Sequence, residues 1–219
     1  MSKGYFITFE GGEGVGKSTQ VTRLVSTLRA SGMDVIQTRE PGGAKGAEAI
    51  RELLVNGEPG RWTPLSEALL FAAARDDHLN SIIRPALADG KVIICDRFSD
   101  STKAYQGAAG GIGPNLIDTL NKWVVGDEKP DLTLILDLDP RTGLERARVR
   151  GGTADRFESN GIEFHQAIRR AFVVIANEEP DRCVVIDADR PEDTIFDNIE
   201  YIVRERLVQH ERSSRIYDG

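Results

Sequence analysis

Eight consecutive residues, Gly11-Gly12-Glu13-Gly14-Val15-Gly16-Lys17-Ser18, satisfy every fixed position of the pattern G-x-x-x-x-G-K-[ST]. Glycines let successive backbone N–H groups curl toward one point, and a helix that starts there adds its positive N-terminal dipole. Lys17 is then placed to reach the β- and γ-phosphates of a nucleotide, and the Ser18 hydroxyl to ligate Mg2+. Gly11 through Thr19 are therefore expected to hold ATP or GTP. The plainer alternative is a glycine-rich turn that carries a surface lysine.

Further chemistry-bearing residues follow. The apolar run Val92-Ile93-Ile94-Cys95 ends in Asp96. A carboxylate at the end of such a strand either caps the next turn or meets the Mg2+ shell beside the phosphate loop. Arg97 comes next, and its planar fork suits it to bridge donor and acceptor phosphates at the crevice edge of a parallel sheet. Phe71 and Arg75 are four residues apart, on one face of a helix. They read as a ring that stacks on a base and a cation that bonds its edge, or as a core residue and a surface residue. Arg39-Glu40-Pro41-Gly42-Gly43 follows another strand, and Ser101, Thr102, Tyr105 and Gln106 form a compact polar cluster after Arg97.

From Arg141 to Arg156, five arginines stand against Glu145 and Asp155, a local excess of three positive charges. Gly151-Gly152 interrupts this stretch, so residues 148–157 are expected to form a small mobile lid that excludes water during phosphoryl transfer. A solvated basic helix face is the alternative.

These groups need a scaffold, and the hydrophobic pattern supplies one. Short apolar runs at Tyr5–Glu10, Val35–Arg39, Lys91–Asp96, Leu132–Asp137 and Cys183–Asp187 read as strands. Helical spacing lies between and after them: Val21, Leu24, Val25 and Leu28 before a stop at Gly32; Phe164, Ile168, Phe172 and Ile175; and Ile195, Ile199, Ile202 and Val203 after Pro191. Asp139-Pro140 reads as an N-cap followed by proline at the first helical position. Gly107–Pro114 reads as a loop. Strands alternating with helices imply a parallel sheet covered on both faces, an α/β fold over one domain, residues 1–219.

Composition sets the outer limits. The 219 residues carry 28 Lys+Arg against 35 Asp+Glu, a formal charge of −7. That balance argues against a broad nucleic-acid or anionic-lipid surface. The longest apolar run, Ala68 to Ala74, is far short of the ~20 residues of a membrane span. Cys95 and Cys183 form no CxxC pair and read as buried free thiols, so a cytoplasmic location is expected. A guanine-reading N-K-x-D is missing, since Asn121-Lys122 is followed by Trp123-Val124. A small kinase acting on a small acceptor remains.

The residues Phe9-Glu10-Gly11-Gly12-Glu13-Gly14-Val15-Gly16-Lys17-Ser18-Thr19, Thr38-Arg39-Glu40-Pro41-Gly42-Gly43, Asp96-Arg97-Phe98, Ser101-Thr102-Lys103-Ala104-Tyr105-Gln106 and Asp155-Arg156-Phe157-Glu158 together resemble the thymidylate kinase family. The resemblance implies a P-loop nucleoside monophosphate kinase-like fold with a five-stranded parallel sheet, transfer of phosphoryl from ATP to dTMP with Mg2+, and a homodimer. It assigns Glu13 to the sugar hydroxyl and the phosphates, Arg97 to the acceptor phosphate, and Phe71 to the thymine face. Arg75, with Glu40 and Pro41 nearby, meets the thymine edge, with Ser101 and Thr102 near its ring nitrogen. Gln106 belongs to the same acceptor cluster, and Tyr105 crowds the 2′ position. Gly14 after Glu13, together with a basic lid, resembles the bacterial variant whose catalytic arginines sit in the lid; Arg150 and Arg156 are the candidates. Phe98 departs from a frequent Tyr, and Thr102 from an Asn of some relatives. Another small P-loop kinase, acting on a deoxynucleoside or a different monophosphate, is the nearest rival; a nucleotide-regulated switch with no acceptor is the more distant one.

Overall fold

The computed structural model describes residues 4–58, 60–151 and 156–217, with backbone alone at residue 150 and from 214 onward. Five strands, β1 (Tyr5–Gly11), β2 (Val35–Arg39), β3 (Val92–Asp96), β4 (Leu132–Asp137) and β5 (Cys183–Asp187), form one wholly parallel sheet in the order β2-β3-β1-β4-β5. The central position of β1 explains why every one of its seven residues is buried, whereas the edge strands β2 and β5 each expose two of their five residues.

Along β1 the side chains point alternately to the two faces. Tyr5, Ile7 and Phe9 join the core formed with α1 (Lys17–Ala30) and α9 (Glu192–Tyr217). Phe6 packs on the other side with Leu79, Ile83 and Phe98, and meets the Phe98 ring edge-on at 5.0 Å. That second face is covered by α3 (Pro64–His78), which continues through a wide π-helical turn, Leu79–Ile83, into α4 (Arg84–Ala88), and by α8 (Ile162–Glu178). The remaining helices are α2 (Lys45–Val55), α5 (Ser99–Thr102), α6 (Pro114–Val124) and α7 (Pro140–Arg150).

Local signals work as the spacing predicts. α1 buries Val21, Leu24, Val25 and Leu28, and Gly32 just beyond it takes φ 88°. Asp139 caps α7 by accepting from the Arg141 N–H, with Pro140 in the first turn. One expectation is corrected: α5 runs on as a wide helical turn, Lys103–Ala109, so the loop of the Gly107–Pro114 stretch is confined to 110–113. Burial overrides glycine's weak helix propensity here, since Gly107 is buried beside the Ile117 side chain.

Candidate active site

An open cleft of about 450 Å3 lies across the C-terminal ends of β1, β2 and β3, where open parallel sheets place their ligands. Residues 13–19 line one end. Glu40, Pro41, Phe71 and Arg75 line the other, with Asp96, Arg97, Ser101, Thr102, Tyr105 and Gln106 between them. The sheet thus brings together segments that are nearly a hundred residues apart in sequence.

The glycine-rich loop leaves β1 and enters α1 without a side-chain cap, which leaves the first N–H groups of the helix for a ligand. Lys17 is folded back onto the carbonyls of Gly12 at 2.7 Å and Gly11 at 3.2 Å. Burial, with Arg97 alongside, pushes its ammonium down to about 8, despite Asp96 and the two glutamates nearby. Ser18 donates to the Asp96 carboxylate at 2.7 Å, so two hard oxygen donors meet at one point beside the loop.

Gly14 cannot carry a side chain. It takes φ 67°, and a Cβ there would stand 1.8 Å from the carbonyl oxygen of Gly143 in α7. The same contact read from the other side puts a Cβ on Gly143 2.3 Å from the Glu13 carbonyl. An arginine at this point of the loop is therefore excluded.

At the centre, Arg97 donates to Glu13 at 2.9 Å, to the Gly11 carbonyl at 3.0 Å and to the Ser101 hydroxyl at 3.2 Å, and its guanidinium lies 4.9 Å from the Tyr105 ring centre. Burial opposes its charge, yet Tyr105, Glu13 and Asp96 raise its pKa further. Burial would likewise lift the Glu13 carboxyl, but Arg97, Lys17 and a 2.7 Å hydrogen bond from the Tyr105 hydroxyl hold it down to about 2.

The end of the cleft away from the glycine-rich loop is built around a buried ion pair. Arg75 is 2% exposed, which rules out its surface reading; it donates from Nε to Glu40 at 2.8 Å and from Nη2 to the Phe98 carbonyl and the Thr102 hydroxyl. His78, a residue the sequence did not single out, meets Glu40 at 3.0 Å through Nδ1 and Thr38 at 2.7 Å through Nε2. Phe71 is half-buried, not in the deep core, and faces the cleft with its ring 6.3 Å from that of Phe157. Gln106 donates to Glu67.

Ser101 lines the cleft as expected but commits its hydroxyl to protein partners, whereas Arg146, Arg148 and Arg156 do not line it. The Ser101 hydroxyl points inward, donating to Glu10 at 2.6 Å and accepting from Arg97. Of the arginine cluster, Arg146 bonds the Ala188 carbonyl and pairs with Asp189, and Arg148 pairs with Glu145 on the surface. Arg156 is buried against Glu67 and the Leu54 carbonyl; Phe157 and Glu158, rather than Arg156, line the cleft. The side chain of Arg150 and residues 152–155, including Asp155, lie outside the described residues.

Besides His78, the sequence reading passed over Glu10 and Glu67. A charged residue at the end of β1, a strand whose other residues are uncharged, was the available signal for Glu10. Among the described residues there is no cluster of three or more His, Cys, Asp or Glu side chains able to hold a metal alone, and no helix long and apolar enough to cross a membrane.

Comparison with known proteins agrees with this geometry. The thymidylate kinase family model matches residues 9–199. The thymidylate kinase of Caulobacter vibrioides is 58% identical over 207 residues, covering 94% of this chain and 99% of that one. The thymidylate kinase of Bradyrhizobium diazoefficiens is 50% identical over 208 residues, covering 94% and 91%. The crystal structure of thymidylate kinase from Ehrlichia chaffeensis superposes with a TM-score of 0.74 at 37% identity, covering 92% and 99%.

Proposed function

The chain belongs to the thymidylate kinase family, and from that premise we propose how its cleft transfers a phosphoryl group from ATP to dTMP. The observation that carries the proposal is the Glu13–Arg97 pair, which joins the phosphate loop to the acceptor end in one continuous cleft.

ATP phosphates lie along residues 11–19, drawing the Lys17 ammonium off the Gly11 and Gly12 carbonyls toward the β- and γ-oxygens. Ser18 and Asp96 present a hydroxyl and a carboxylate, a donor set that suits Mg2+, a hard cation that takes its other ligands from phosphates and water. Bound there, Mg2+ would neutralise charge on the phosphates and orient them. Thymine stacks on Phe71. Arg75, with Nε and Nη2 already held by protein, turns its remaining edge to the base, and Thr102 and Gln106 complete the acceptor wall. Glu40 and Pro41, which directly follow β2, close that wall. Tyr105, fixed by Glu13, stands where a 2′-hydroxyl would come.

The acceptor is a phosphate oxygen, ionised at neutral pH, so no general base is needed. Glu13, held well below the usual carboxylate range, accepts hydrogen bonds and positions Arg97 and the sugar. Catalysis rests on alignment and on cations aimed at the transferred group, namely Lys17, Arg97 and lid arginines among which Arg150 is the candidate. Residues 148–157 act as the lid, and Arg156 ties it to α3 through Glu67. The chain works as one domain, in the cytoplasm, as a homodimer. The side-by-side helices α3 and α6 support the dimer, leaving Leu65, Leu69, Leu116 and Trp123 exposed, the last by 79%.

The test is ADP release with Mg-ATP and a panel of thymidine, dTMP, dUMP, dCMP and UMP, with and without EDTA. Activity with dTMP that chelation abolishes is expected; thymidine outperforming dTMP would transfer the protein to the deoxynucleoside kinases.

A further inference from the structure

The turn that aims Arg97 into the cleft is one that side chains avoid. Arg97 is the only non-glycine residue with positive φ, 68°, among the described residues. Such a conformation persists where its surroundings over-determine it. Two neighbouring residues of β1 do so. The N–H of Arg97 donates to the Phe9 carbonyl at 2.9 Å, and the next N–H, that of Phe98, donates to Oε1 of Glu10 at 2.8 Å.

Glu10 holds more than that one peptide. Oε1 also accepts from the Ser101 N–H at 3.2 Å, and Oε2 accepts from the Ser101 hydroxyl at 2.6 Å. The Ser101 oxygen in turn accepts from Nη1 of Arg97. Glu10 is wholly buried, and no ion pair reaches it among the described residues. A buried carboxylate without a salt bridge is costly unless hydrogen bonds satisfy it. All three donors come from a single stretch, residues 98–101. Asp100, which itself pairs with Arg182, disfavours the Glu10 charge, and Arg97 favours it.

We infer that Glu10 is a positioning residue for phosphoryl transfer: it clamps the backbone after Arg97 and, through Ser101, fixes the guanidinium between the phosphate loop and the acceptor. The inference rests on the reading of Arg97 as the acceptor-phosphate arginine. Glu10 itself is not among the residues that line the cleft.

Glu10→Gln tests it with little change of shape. A carboxamide keeps one oxygen for the two N–H groups but turns an N–H2 toward the Ser101 hydroxyl, which loses its acceptor. In steady-state assays with dTMP and Mg-ATP, kcat should fall roughly ten- to a hundredfold while KM for ATP stays unchanged. Ser101→Ala, a milder change that guards against misfolding of the first variant, should lower kcat in the same sense, and the double variant should be no worse than Glu10→Gln alone. The inference is overturned if kcat stays within twofold of wild type, if the two losses multiply, or if KM for ATP moves with kcat. A wild-type protein that releases no dTMP-dependent ADP removes the reaction itself, a result distinct from an active wild type with an unaffected variant.

Discussion

The contact between α7 and the phosphate loop offers a perturbation whose size can be worked out in advance. Gly143→Ala adds one methyl group, and its Cβ would lie 2.3 Å from the Glu13 carbonyl, where ordinary contact begins near 3.4 Å. Either α7 or the loop must retreat by about 1 Å, because the obstacle is backbone and not the end of a flexible side chain. Two effects on stability oppose each other. Alanine favours a helix over glycine by about 1 kcal/mol, and overpacking costs about 1–3 kcal/mol, so the net loss is only about 0–2 kcal/mol. Catalysis has no such compensation. Glu13 is the residue displaced, and it holds both Arg97 and Tyr105. A misplacement of about 1 Å in aligned reacting groups costs on the order of 10²-fold in rate. The variant should therefore fold, melt within several degrees of wild type by circular dichroism, and lose about a hundredfold in kcat in a coupled ADP-release assay. Turnover within threefold of wild type in a folded variant refutes the argument, as does a loss that merely tracks the unfolded fraction.

Three further outcomes are expected. Arg97→Ala should lower kcat by roughly 10³-fold or more, the scale of arginines that act on a transferred phosphoryl group, read in the same assay at saturating ATP. Arg75→Met leaves Glu40 buried without its cation and should destabilise the fold by about 3–5 kcal/mol in urea titrations, besides raising KM for dTMP. Glu10 carries a carboxyl that burial and Asp100 raise from 4.5 to about 7, so its contribution to stability is complete below pH 4.5 and disappears as pH climbs through 7. Glu10→Gln has no such loss, and its melting temperature relative to wild type should be more favourable at pH 8 than at pH 5. A difference independent of pH would contradict the assigned shift.

Much of this molecule was legible in its sequence because the relevant signals are local. The strands ended within one residue of their expected bounds, since apolar runs bounded by polar residues mark buried parallel strands. The glycine-rich loop between β1 and α1 was expected because a phosphate cradle needs fixed residue types at fixed spacing between a strand and a helix. What was hidden depends on long-range pairing. Glu40 and Arg75 are 35 residues apart, and nothing in either neighbourhood says that the pair is buried or that His78 shares it. Ser101 reads as one of several polar residues near a ligand; only the approach of β1 shows that its hydroxyl serves Glu10 instead. The glycines at 107 and 110–111 look alike as letters, yet the first is packed inside a helical turn and the others open a loop.

The network around Glu40 also bears on how such a protein could escape a competitive inhibitor. A compound that stacks on Phe71 and reaches the free edge of Arg75 engages a side chain whose other donors already hold Glu40, Phe98 and Thr102 in place. Replacing Arg75 to weaken the compound strands a buried carboxylate, and replacing Glu40 strands both a guanidinium and His78. Resistance at these positions would thus compete with folding itself. Selection under drug pressure should instead favour changes at cleft-lining residues that hold no buried ion, such as Phe71, whose ring packs beside that of Phe157.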